Sequence, residues 1–160
     1  MRIILSILIS AIFLTGCVAT KEQNIYSEVK INEEKIIAIS APRGLPWVNR
    51  IKAGLIKKGF RVMPIESQYK IKEKSKSADV SYNQSSARYV LYLDGQARMG
   101  IMHRCFGGGY MFDYISAELV DIKTNQTISS FADSGYSEGC PPLSGTLFAD
   151  IVATVSKSWK

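Results

Sequence analysis

The first sixteen residues constrain the rest of the chain more than any other segment, because they predict the compartment in which it folds. Arg2 is followed by an apolar run from Ile3 to Leu14, which ends on Thr15 and Gly16. One cation, an apolar segment too short to span a bilayer permanently, and small residues at its end are typical of an export signal. The sequence therefore predicts a protein that leaves the cytosol.

The end of this signal, Leu14-Thr15-Gly16-Cys17, resembles the lipobox of bacterial lipoproteins. The resemblance implies that residues 1–16 are removed and that Cys17 becomes the first residue, carrying palmitate or similar acyl chains. A plain secretory signal with a chance cysteine is the alternative. Val18 stands where Asp would retain an enteric lipoprotein at the inner membrane, so the resemblance implies the outer membrane, with the protein facing the periplasm.

The remaining chain is long enough for one domain. Removing 16 of the 160 residues leaves 144, which can bury a core of its own. We interpret residues 17–34 as a lipidated flexible tether, with a hint of an edge strand in its second half, and residues 35–160 as a single α+β periplasmic domain. The net charge is +6, or +5 without Arg2, but export removes the main reason to expect a nucleic acid as partner.

Two further cysteines, Cys105 and Cys140, remain if Cys17 carries lipid. Two thiols in an oxidising periplasm have one possible pairing, so we predict a disulfide between them. The alternatives are two buried free thiols, or a metal site that uses His103 and Cys105 and lacks an evident third ligand. We expect neither a metal nor a cofactor.

The pattern of apolar residues predicts an α+β fold with a mixed sheet of four to five strands and two to three helices packed on it, in the order β-α-β-(α)-β-β-β-α. The predicted elements are strands at 36–40, 60–65, 87–94, 110–121 and 127–136, and helices at 47–58 and 147–159. The strand at 87–94 has apolar or aromatic residues on both faces, so we expect cover on each side. The stretch 66–86 stays open between a poor helix and a mobile segment.

Several short segments resemble small envelope lipoproteins. They are KKGFRVM at 57–63, ARYVL at 87–91 and ELVDIKTNQTI at 118–128. The domain, residues 35–160, is similar to the amino-terminal domain of TolB and to the penicillin-binding-protein activator lipoproteins, and lipoproteins of conjugation systems have a comparable strand pattern. The resemblance implies a non-enzymatic accessory role in cell-wall synthesis, secretion or outer-membrane assembly.

An aromatic row in the strand at 110–121 is the candidate partner or ligand face. Residues two apart lie on the same face of a strand, so we expect the row to form one surface that receives a glycan, an aromatic anchor or an acidic partner. The alternative is that a helix covers these rings as core. The row and the nearby cations are Tyr110, Phe112, Tyr114, Arg98, His103 and Arg104.

Other functional hypotheses rest on fewer residues. A hydrolase centred on His103 would need a nucleophile or acid within hydrogen-bond reach. Gly107-Gly108-Gly109 precedes a strand rather than a helix, so we interpret it as a flexible or bulged connection and not as a phosphate cradle. The expected partners are the membrane, through acyl chains on Cys17, and an unidentified envelope protein, with peptidoglycan or lipopolysaccharide as further candidates.

Overall fold

A computed structural model describes residues 21–26, 30–65, 72–75, 78–81, 87–98 and 105–160. The predicted signal at 1–16 and Cys17 lie outside these residues. The elements in chain order are β1 (Glu22–Ile25), β2 (Ile36–Ser40), α1 (Pro46–Lys57), β3 (Arg61–Pro64), β4 (Lys72–Ser75), β5 (Ala78–Ser81), β6 (Tyr89–Ala97), β7 (Met111–Asp121), β8 (Gln126–Tyr136) and α2 (Leu147–Ser156). Neither of these helices combines the length and the apolarity that a bilayer crossing requires.

The main sheet is mixed and has six strands in the order β1-β8-β7-β6-β2-β3. Strand β2 runs parallel to both β3 and β6, and the β2-α1-β3 segment is a parallel crossover unit. The pairs β6-β7, β7-β8 and β8-β1 are antiparallel. The predicted α+β class and mixed sheet are confirmed, but the sheet has more strands than the four to five expected.

The additional edge strand comes from the segment predicted as a tether. In β1, Glu22 lies opposite Ala132 of β8, and Ile25 lies opposite Ser129. Further along, Ile31 forms an isolated parallel bridge with Trp159 near the carboxyl terminus. Glu22–Ile25 therefore belongs to the sheet rather than to a flexible tether, and Ile31 is held against the domain by its bridge. The edge strand lies earlier than the second half of the segment, where the alternation hinted at one.

The described part of the stretch 66–86 is a small two-stranded antiparallel sheet. Strand β4 pairs with β5, with Lys72 opposite Ser81 and Ser75 opposite Ala78. The helical alternative for this stretch therefore does not hold at Ala78–Ser81.

Helices α1 and α2 pack on one face of the main sheet. Pro46 lies in the first turn of α1, where its missing N–H costs nothing, and Trp47, Ile51 and Leu55 recur at helical spacing and are buried. Gly59 follows the helix with a positive φ of 85°. The buried residues of α2 are Leu147, Phe148, Ile151, Val152, Thr154 and Val155. The core thus lies between these two helices and the sheet.

Trp159 was predicted on the apolar face of the last helix, but α2 ends at Ser156. The Trp159 ring packs edge-on against Phe60 and Tyr89, with centroids 5.0 and 5.2 Å away. Its burial closes the core at the end where β6 begins.

Candidate functional site

A bulge in β7 separates the three rings that were predicted to share a face. Gln96 of β6 lies opposite Tyr114, but the next residue, Ala97, lies opposite Phe112, so β7 carries one extra residue here. An extra residue reverses the inward and outward alternation of a strand. Tyr110 and Phe112 are therefore buried, while Tyr114 is 44% exposed on the other face of the sheet. The prediction of one continuous aromatic face is wrong.

The two buried rings belong to the helix-covered core. Phe112 packs edge-on against Trp47 of α1 and Phe148 of α2, with centroids 5.5 and 5.9 Å away. The Tyr110 ring is 6.3 Å from Phe148. The alternative of core packing therefore holds for Tyr110 and Phe112, and these rings offer no surface to a ligand.

The other predicted site residues are scattered. Arg98 is exposed, and its Nε donates a hydrogen bond to Asp113 Oδ1 at 2.7 Å. His103 and Arg104 lie outside the described residues, so the hypothesis of a hydrolase centred on His103 is not tested by the structure. Cys105 and Cys140 are joined as a disulfide, with their Cα atoms 4.7 Å apart. Within the part of the chain that the structure describes, no three His, Cys, Asp or Glu side chains are grouped as metal ligands.

The face of the main sheet opposite the helices carries a polar and aromatic surface at its centre. Tyr92 lies opposite Glu118, which lies opposite Ser130, and Asp94 lies opposite Ser116. Partners in a register point to the same side of a sheet. We call this surface the open face, and define it as Tyr92, Asp94, Gln96, Tyr114, Ser116, Glu118 and Ser130.

Two half-exposed tyrosines and two carboxylates dominate the open face. Tyr92 and Tyr114 are each 44% exposed. Tyr114 donates its hydroxyl hydrogen to Asp94 Oδ2 over 3.2 Å, and this hydrogen bond, helped by the charge of Asp94, raises the pKa of Tyr114. Glu118 accepts a hydrogen bond from Thr127 Oγ1 at 2.5 Å. The open face contains no Lys or Arg, so it is negatively charged at neutral pH.

Sequence reasoning missed most of this surface. The strand β6 was expected to be covered on both sides, and its first half is, because Val90 packs with Ala38 and Ala87 on the face opposite the helices. From Tyr92 onward that face is exposed. The sequence does contain an indication of this exposure. Asp94 and Gln96 are polar residues two apart in β6, and such alternation indicates that one face of the strand is solvated.

A cleft of about 430 Å³ lies where β2 ends and α1 begins. It is lined by Ile39, Ala41, Pro42, Gly44, Leu45, Pro46, Val48, Asn49, Lys52, Val62 and Met63. Clefts at the carboxyl ends of parallel strands often bind ligands. Here the lining is mainly apolar and supplies one charge, from Lys52, so it lacks paired groups for acid–base chemistry.

No protein-family model matches this chain, and no curated protein matches it in sequence. Its fold is similar to that of two structures of a PelC dodecamer from Paraburkholderia phytofirmans, both 18% identical. They give TM-scores of 0.44 and 0.45 and cover 88% and 89% of this chain and 95% and 98% of theirs. A minor lipoprotein from Acinetobacter baumannii is 10% identical, with a TM-score of 0.37, over 77% of this chain and 93% of its own. These likenesses assign no function to this chain, and none of the three is TolB or a penicillin-binding-protein activator.

Proposed function

We propose that this chain is a non-enzymatic envelope lipoprotein, anchored by acyl chains on Cys17, that binds a basic surface of a partner protein through its open face. The open face is the observation that carries the proposal. The sequence of the signal and Val18 support an anchor in the outer membrane, with the domain in the periplasm.

The chemistry of the open face favours a basic protein as the partner. Asp94 and Glu118 supply negative charge, and the seven residues that define the open face include no Lys or Arg. Opposite charges across an interface guide the approach of the partner and set its orientation. Tyr92 and Tyr114 lie beside these carboxylates, and half-exposed tyrosines are enriched where proteins bind one another. The rim of the face is neutralised, because Arg98 is paired with Asp113.

Site-specific photocrosslinking in intact envelopes tests this proposal. We expect a crosslinker at position 92 to capture a protein partner, and one at Ile56, which is 52% exposed on α1, to capture none. The adduct should weaken as salt is raised and should be lost in Glu118→Lys, because charge attraction is screened in the first case and reversed in the second. An adduct that survives both changes would contradict the proposed charge complementarity.

The lipid anchor is tested separately. Incorporation of radioactive palmitate should disappear in Cys17→Ala and persist in Cys105→Ala. Labelling that is unchanged by the first substitution would overturn the anchor.

A glycan is the second candidate ligand of the open face. Exposed aromatic rings beside carboxylates suit sugars, because the rings stack on the sugar and the carboxylates accept its hydroxyl hydrogens. If a glycan binds, the parent protein should sediment with insoluble peptidoglycan, and Tyr92→Ala and Tyr114→Ala should leave the protein in the supernatant. Added salt should change the sedimented fraction little. Binding that is lost in the tyrosine variants but is insensitive to salt indicates a glycan. Binding that is lost in Glu118→Lys and weakened by salt indicates a basic protein.

A further inference from the structure

The loop that precedes β7 and the loop that follows β8 are joined into one rigid projection. We call it the disulfide tip and define it as residues 105–109 and 139–143. Besides the Cys105–Cys140 bond, the backbone N–H of Gly109 donates to the carbonyl of Gly139 at 3.0 Å. A Cβ at Gly109 would lie 2.5 Å from Cys140 Sγ, so the two loops approach each other as closely as glycine permits. The tip therefore holds its side chains in a defined position.

The disulfide tip exposes apolar side chains and carries no charge. Phe106 is fully exposed, with a relative accessibility of 106%, and Leu143 is 60% exposed. Pro141 and Pro142, which precede Leu143 in the chain, are also exposed. No Asp, Glu, Lys, Arg or His occurs in the two loops. Among the described residues, Arg50 contacts the tip, because its Nη2 donates to the carbonyl of Gly108 at 3.1 Å.

The disulfide tip lies at the end of the sheet from which the chain leads back to Cys17. Strand β1 runs antiparallel to β8, so Glu22, the first residue of β1, lies at the end of β1 that is nearer to Cys140. Lys21 is held at this point, because its Nζ lies 2.6 Å from Asp150 Oδ2 of α2 and 5.7 Å from the centre of the Phe131 ring. Cys17 precedes Lys21 by four residues, which reach at most about 14 Å when extended.

We infer that the disulfide tip is the surface of this domain that meets the lipid bilayer, with Phe106 and Leu143 inserted at the interface. The inference rests on the proposed acyl anchor at Cys17, because that anchor and its short reach bring this end of the sheet to the membrane. An uncharged apolar tip enters the interface without desolvating an ion, and Arg50 beside it suits anionic head groups. In this orientation the strands of the sheet run away from the membrane surface, so the open face points sideways and is accessible to a periplasmic partner.

Quenching by brominated lipid tests the inference on the acylated full-length mature protein. Phe106→Trp is placed in vesicles of phosphatidylethanolamine and phosphatidylglycerol whose acyl chains carry bromine. Tyr92→Trp on the open face is the matched control, and the emission of the parent protein, from buried Trp47 and Trp159, is subtracted. We expect the added emission of Phe106→Trp to be mostly lost and that of Tyr92→Trp to be retained.

Each other outcome overturns the inference for a different reason. If mass spectrometry shows acylated Cys17 but Phe106→Trp is not quenched, the anchor stands and the tip does not meet the bilayer. Quenching of Tyr92→Trp instead would place the open face on the membrane. Emission of Phe106→Trp that shifts with protein concentration, without quenching, would assign the tip to a second copy of the chain. An unacylated Cys17 would remove the proposed anchor and this inference together.

Discussion

At the scale of single residues, the buried carboxylate of Asp121 shows how the end of the sheet is held. Arg88 donates to both of its oxygens, from Nε at 2.9 Å and from Nη2 at 2.6 Å. The backbone N–H of Lys123 adds a third hydrogen bond at 3.0 Å. The hydrogen bond from Arg88 is the main cause that lowers the pKa of Asp121, and it outweighs the opposing effect of burial.

This lowered pKa predicts a loss of stability in acid. Because the folded state favours the ionised form, the contribution of Asp121 is fully present above its unfolded pKa of about 3.9 and is lost as the pH falls through its lower folded pKa. We expect Asp121→Asn to lower the free energy of unfolding by roughly 1–2 kcal/mol at neutral pH, a modest loss because Arg88 is partly exposed and its charge is screened by solvent. The free energy of unfolding of this variant should also fall less steeply as the pH is lowered. Urea unfolding as a function of pH measures both effects.

Asp113→Asn is the matched control, because Asp113 pairs with Arg98 at an exposed position. Exposed ion pairs contribute little, so this change should stay within about 0.5 kcal/mol. Equal losses for the two substitutions would contradict a special role of Asp121.

At the scale of elements, the two helices touch at a glycine. A Cβ at Gly54 of α1 would lie 2.8 Å from Cγ2 of Val152 in α2. Glycine lowers helix propensity, so its place in the interior of α1 is explained by this close approach rather than by local preference. The helical spacing predicted α1, but it did not show which residue faces the second helix.

Enlarging this contact should separate the helices. We expect Gly54→Leu to lower the free energy of unfolding by about 1–3 kcal/mol, because the larger side chain has no space beside Val152. Ala53→Leu on the exposed face of α1 should change it by less than about 0.5 kcal/mol. Thermal unfolding of both variants checks the prediction, and a neutral Gly54→Leu would show that the helices do not pack as described.

At the scale of the whole molecule, the disulfide joins segments 35 residues apart. Closing a loop of this length restricts the unfolded chain, which in the chain-entropy model stabilises the fold by about 3–4 kcal/mol. We expect reduction to lower the free energy of unfolding by that amount. Urea unfolding of oxidised and reduced protein measures the difference, and Cys140→Ser without reductant should match the reduced protein. Identical midpoints for the oxidised and reduced forms would contradict this prediction.

The sequence by itself determined the class of fold, most element positions and the candidate cysteine pair. Strand β2 and the helices α1 and α2 follow from apolar spacing between near neighbours, and such spacing reflects the local geometry of a strand or helix. The predicted export signal and the lipobox-like sequence are also local patterns, so a membrane anchor is expected from the sequence without a structure.

Only the tertiary structure decided which surfaces are covered. The extra residue in β7 reverses the alternation near Tyr114, and it is recognised from the register with β6 rather than from β7 itself. The edge strand β1 has four exposed residues and depends on pairing with β8, more than a hundred residues along the chain. Exposure of Tyr92 beside Glu118 likewise depends on both helices packing on the opposite face. Such features arise from contacts between distant segments, which local periodicity does not encode.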